Sequence, residues 1–195
     1  MACELFSVGV DTECKENFSG VGNYFLIASK AALANCTPEY DESEAKFTDD
    51  SFKGAGDNAA VKVVKVKIVA DTGQVTSQSN PNAGGFNNVF TCRVGKDMKK
   101  MSSLSRRLNN QDDYYVLVPT GTANEYYVVG DPNRAMQYQD EFDSGNTPDS
   151  DHGHTLTFTV NAALYPAATW TGVVEVIATE ETGSDPGDGK TGDGN

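Results

Sequence analysis

The residues best suited to chemistry by type and spacing are Asp149, Asp151, His152 and His154, gathered around Gly153. Two histidines two residues apart on an extended backbone face the same side, and a neighbouring aspartate offers an oxygen ligand for a shared metal. The candidate ligands are therefore His152 and His154 with Asp151 or Asp149. No third, distant ligand set accompanies them, and a His/Asp cluster of this kind is more often a solvated polar loop than a metal centre. The expectation is thus no metal and no other cofactor. Nucleophilic catalysis has as little support, because there is no GxSxG elbow and no Ser or Cys paired by sequence with an Asp-oriented histidine. Gly54-Ala55-Gly56 lacks the later glycine and the following acid of a dinucleotide-binding turn, and it does not lie between a strand and a helix. Paired carboxylates discriminate nothing among 28 acidic residues. These readings make an enzyme the least favoured class.

Charge narrows the partners. The formal net charge of −13 and a pI near 4.4 oppose binding to phosphate backbones, which depends on neutralisation by Lys and Arg. The distribution is uneven. Arg93, Lys96, Lys99, Lys100, Arg106 and Arg107 stand against Asp97 alone in one short stretch. A basic face on an acidic chain suits copies that meet head to flank, and Lys99, Lys100, Arg106 and Arg107 are the candidate assembly residues. A solvated helix face kept soluble by its charges is an equally simple account.

The elements that must position these groups read mainly as β. Val21–Ala28 is a first strand, entered through Gly20 and Gly22. In Val61–Ala70, Val64, Val66, Ile68 and Ala70 alternate with Lys65, Lys67 and Val69, which predicts one buried and one partly charged face. Phe86–Val94 is a further strand. Asp97–Asn109 is the single helix, with Asp97 as N-cap and Met98, Met101, Leu104, Ser105 and Leu108 on one stripe. Tyr114–Pro119 and Glu125–Gly130 form a hairpin, Met136–Gln139 extends its sheet, and Thr155–Asn161 alternates Leu156, Phe158 and Val160 with threonines. Gly172–Ala178 is the last strand. Residues 35–58 and 71–84 read as long polar loops, the first with a short turn near Ala45, and residues 140–153 as an acidic loop. If the strands on either side of 71–84 pair, that segment is an extended hairpin loop.

One domain over 1–178 is expected, with an N-terminal arm, followed by a flexible acidic tail over 179–195 that has nothing apolar to bury. Hydrophobic residues make up 38% of the chain but come in short clusters, none approaching the ~20 needed to span a bilayer, so no membrane partner is expected. The N-terminus lacks the basic and apolar regions of a secretory signal, which points to folding in the cytoplasm where the chain is made. Cys3, Cys14, Cys36 and Cys92 have no CxxC or Cys/His zinc spacing and read as reduced thiols.

The C-terminal half has a recognisable order: the hairpin YYVLVP and EYYVVG, then Ser144-Gly145-Asn146, Asp151-His152-Gly153, and the strand from His154 to Val160. This order resembles the tail tube proteins of tailed bacteriophages, over about Val61 to Ala178. The resemblance implies a β-sandwich or barrel with one flanking α-helix and long loops. It also implies a virion protein made in the host cytoplasm, whose copies form hexameric rings that stack into a DNA conduit. On that reading the loops 35–58 and 71–84 are arms between subunits and rings, other virion proteins are further partners, and acidic walls repel the passing genome. A head-tail connector, a ring protein or a capsid decoration protein has much the same pattern. A β-sandwich module that recognises a glycan or a protein is the alternative from another class.

Overall fold

The computed structural model describes residues 21–33, 38–52, 60–81, 84–95, 98–110, 113–144 and 153–180, with backbone alone for 32–33, 98–100 and 178–180. Among these residues the fold is a β-sandwich of two packed sheets with one α-helix. It is not a closed barrel.

In chain order the strands are β1 (Tyr24–Ser29), β2 (Tyr40–Asp41), β3 (Lys46–Phe47), β4 (Val61–Lys67), β5 (Gln74–Ser79) and β6 (Phe86–Val94). After helix α1 (Met98–Asn109) come β7 (Tyr114–Pro119), β8 (Glu125–Val129), β9 (Gln137–Asp143), β10 (Gly153–Ala163), β11 (Thr169–Thr171) and β12 (Val174–Glu180). A single turn of 3-10 helix, Lys30–Leu33, follows β1. The larger sheet runs β12-β4-β1-β7-β8-β11-β3-β2, and the smaller runs β5-β6-β10-β9.

The first apolar cluster lies between the sheets. Phe25 of β1 meets the rings of Phe90 and Phe158 edge-on at 5.3 Å each, while those two stack on each other across β6 and β10. Each such ring pair contributes about 0.5–1.5 kcal/mol beyond the area it buries. The helix seals this cluster with Met101, Leu104 and Leu108, all buried and spaced three and four residues apart as the stripe requires.

The second cluster covers the other face of the larger sheet. It joins Leu26, Val61, Val63, Tyr115, Leu117, Tyr126, Val128 and Trp170 to Phe47 and Phe52. Because β1, β7 and β8 are buried on both faces, alternate residues on each strand serve different clusters: Phe25 and Leu26, Val116 and Leu117, Val128 and Val129.

Several expectations are corrected here. The segment 35–58 is not simply a loop. It contains the hairpin β2-β3, in which the Asp41 carboxylate accepts hydrogen bonds from the Ser43 backbone N–H and hydroxyl, at 2.8 and 2.6 Å, and Ala45 takes a positive φ of 52°. Those hydrogen bonds, the Ser43 hydroxyl first, hold the Asp41 carboxyl below the usual range. Phe47 and Phe52 then reach the second core, and Trp170 donates from its indole N–H to the Asp49 carbonyl.

The segment 71–84 contains β5, which pairs with β6 over its full length. It is therefore not a hairpin loop between β4 and β6, which lie in different sheets. The acidic loop expected from residue 140 begins later, since β9 continues to Asp143; β9 also joins the smaller sheet rather than that of the hairpin. In β4 the buried residues are Val61 and Val63 on one face and Val66 on the other, Val64 is half-buried, and Ala70 lies exposed beyond the strand. The last strand runs through Thr179 and Glu180, which pair with Lys65 and Val66. A tail therefore starts no earlier than residue 181. The proposed N-cap Asp97 and residues 181–195 lie outside the described residues.

Candidate functional site

His154 enters the sandwich at the start of β10. Gly153 precedes it in a place where a Cβ would stand 2.5 Å from the Val94 carbonyl oxygen, so only glycine permits this close approach to β6. His154 pairs in register with Phe142, and the two rings lie 4.9 Å apart. Asp140 lies two residues further along β9 on the same face, within diagonal reach.

The carboxylate of Asp140 is shared. One oxygen lies 2.8 Å from His154 Nδ1, and the other accepts the Ser105 hydroxyl at 2.7 Å. Ser105 in turn accepts the Tyr138 hydroxyl at 3.2 Å. Burial pushes the Tyr138 phenol up, and its bond to Ser105 only partly opposes this. The chain of donors thus runs from Tyr138 through Ser105 to Asp140, with His154 arriving from the other side. It ties α1 to β9 and β10.

This order decides what the cluster can do. In a hydrolase the histidine takes the proton of the serine, and the aspartate orients the histidine. Here the serine hydroxyl points at the aspartate, and the imidazole is on the far side of that carboxylate. His154 Nε2 is buried and has no hydrogen-bond partner among the described residues. The shallow depression of about 390 Å³ beside the cluster is lined by Ser102, Ser105, Arg106, Asn109, Tyr138 and Asp140, and does not include His154. The geometry is that of a polar cross-link within the fold.

Of the metal candidates, His154 is therefore partnered by Asp140, a residue that sequence spacing did not connect to it. Asp149, Asp151 and His152 lie outside the described residues. Among the described residues no three His, Cys, Asp or Glu side chains come together as a metal site. Cys92 is buried between the sheets, and burial alone pushes its thiol up, which makes it a poor nucleophile.

The candidate assembly residues all belong to α1. Arg106 and Arg107 are exposed in its last turn, where a cation also complements the helix dipole. Lys99 and Lys100 stand one heptad earlier.

A second surface feature was not legible as such in the sequence. Among the described residues the sheets have four edges. The edge at β2 is two residues long, that at β5 reads QVTSQS, and that at β9 reads QYQDEFD. Short, polar or charged edges resist pairing with other chains. The fourth, β12, lies parallel on β4 and carries Val176 and Ile177 at 44% and 60% exposure, with Val173 at 66% just before it. Ile177 is the extra residue at a register shift between Val176 and Ala178. Comparison with known protein families, curated proteins and solved structures gives no match to this chain.

Proposed function

We propose that this chain is a structural subunit that assembles with copies of itself, and that its assembly is the tail tube of a tailed bacteriophage. The observation that carries the assembly reading is the contrast among the sheet edges: three are short, polar or charged, while β12, although it carries the exposed Glu175, presents Val176 and Ile177 to solvent on an edge unpaired on its outer side among the described residues. The tube reading rests on the resemblance in the order of elements from Val61 to Ala178, together with a β-sandwich flanked by one helix. The net charge of −13 suits a wall past which DNA must slide without sticking. The exposed Arg106 and Arg107 offer acidic neighbours a complementary contact.

Negative-stain microscopy of the purified protein, with light scattering to measure mass, tests this reading. Stacked rings are the expected result. Rings that never stack would move the assignment to a connector. Monomers alone at high concentration would overturn self-assembly and leave the glycan- or protein-binding module as the better account.

A further inference from the structure

The edge at β12, open among the described residues, can take an added strand, and the chain itself contains a suitable segment. Residues 5–10, Leu5-Phe6-Ser7-Val8-Gly9-Val10, precede the described residues and alternate Phe6, Val8 and Val10 with Ser7 and Gly9, between Glu4 and Asp11. That period of two is the pattern of a strand with one apolar face. A strand added to an edge gains main-chain hydrogen bonds along its length, and its alternate side chains set the register.

The root of this arm is fixed by the fold. Gly22 donates its N–H to the Pro119 carbonyl at the end of β7. Val21 packs so tightly on Gly73 that a Cβ there would lie 2.1 Å from its Cγ2. Val21 lines a depression of about 280 Å³ with Val75, Tyr127 of β8 and Ala167. Val21 and Gly22, the first described residues, are thus anchored against β5, β7 and β8. The ten residues 11–20 can span up to ~33 Å, ample to reach across a subunit boundary.

We propose that residues 5–10 of one copy lie as an added strand along β12 of the next copy. This rests on the self-assembly reading and names the contact that performs it. Such a joint is heterologous: each subunit gives an arm and receives one. Repetition of one such joint closes a ring if its rotation allows, and otherwise builds an open filament. The row Val173, Val176 and Ile177 then lies at a joint rather than in water.

Two measurements on the full chain test the proposal. Alternate N–H groups of an added strand face the edge, so one of the two variants Ser7→Pro and Val8→Pro, made separately, removes a ladder donor, and in that one the assembled fraction should fall by about tenfold or more at equal concentration. The monomer's melting temperature should stay within about 2 °C. The second measurement locates the partner strand by cross-linking. Cysteine is placed in turn by Phe6→Cys, Val8→Cys and Val10→Cys in one copy and by Val176→Cys in another, with Cys3, Cys14 and Cys36 changed to serine. Mild oxidation of the mixture should give a disulfide between the two copies, identified by the mass of the joined peptides, for at least one of the three positions.

If both Ser7→Pro and Val8→Pro assemble as well as the unmodified chain, the arm is not the occupant, and self-assembly stands by another route. If a chain carrying both cysteines bonds only within itself as a monomer, the arm folds back on its own edge and the exchange is overturned. If the unmodified chain never assembles, self-assembly fails and the joint fails with it.

Discussion

The sandwich closes one of its margins and leaves another open. Along the smaller sheet, β9 is an edge strand, but α1 packs beside it, Asp140 is turned inward and hydrogen-bonded, and Met101, Leu104 and Leu108 seal the gap between the sheets. Along the larger sheet, β12 is also an edge strand, yet while Val174 packs on the second core, Val176 and Ile177 are exposed and nothing described covers them. Both margins carry apolar residues. The difference is that the chain supplies its own cover for the first and none among its described residues for the second, and the assembly proposal rests on that difference.

The largest effect should come from opening the closed margin. Leu104→Ala or Leu108→Ala removes a buried side chain from the seam between α1 and the sheets, and each should cost about 2–5 kcal/mol in chemical denaturation. Two variants that each lose less than ~1 kcal/mol would mean the helix is not a seal, and the contrast between the margins would collapse.

Next in size is the polar cross-link at the same margin. Asp140→Ala leaves the Ser105 hydroxyl and the His154 Nδ1 without their shared partner, at a cost of about 1–3 kcal/mol. Loss on that scale, together with faster hydrogen exchange in α1 than in β6, would show that the cluster holds the helix down. An unchanged denaturation midpoint would leave the seal to the leucines alone.

How legible each margin was in the sequence follows from the strength of its pattern. The helix was readable because Met101, Leu104 and Leu108 repeat at helical spacing over a segment without glycine or proline. The alternation of Leu156, Phe158 and Val160 marked β10 in the same way. Strand β5 was missed because QVTSQS has only one apolar residue: an edge strand that is mostly exposed carries no period-two signal. Phe47 and Phe52 were missed as core because they are isolated in a polar stretch, and only the turn built on Asp41 brings them back to the sheet. The Asp140–His154 pair was hidden because its partners are 14 residues apart, and only the β9–β10 register makes them diagonal neighbours. Recognising that GHTLTF and QYQDEF pair antiparallel would have found it.

The basic residues of α1 give a smaller, more selective effect. Reversing Lys99, Lys100, Arg106 and Arg107 to Glu should change monomer stability by no more than about 1 kcal/mol, since charges at exposed positions such as that of Arg106 contribute little to it. The same variant should lose assembly, as followed by light scattering at low and high salt. Full assembly of the reversed variant would return these residues to a solvated helix face, leaving the assembly proposal to rest on β12.

The smallest effect on the monomer is expected beyond the open margin. Thr179 and Glu180 pair with β4, so the informative truncation is after Glu180, not after Ala178 as the composition alone suggested. Residues 181–195 hold Glu181, Asp185, Asp188 and Asp193 against Lys190, and no apolar side chain. A segment of that composition has nothing to bury that would offset the entropy of ordering it. Removing it should leave the monomer's denaturation midpoint unchanged, whereas cutting after Ala178 strips two residues from an edge pairing and should lower it slightly. The comparison of the two truncations therefore measures where the fold ends. If removal of 181–195 costs several kcal/mol, those residues cover β12 in the chain's own fold, and the open margin is not open. If it weakens assembly alone, the acidic segment belongs to the contact between copies, where Arg106 and Arg107 of a neighbour are cations it could meet.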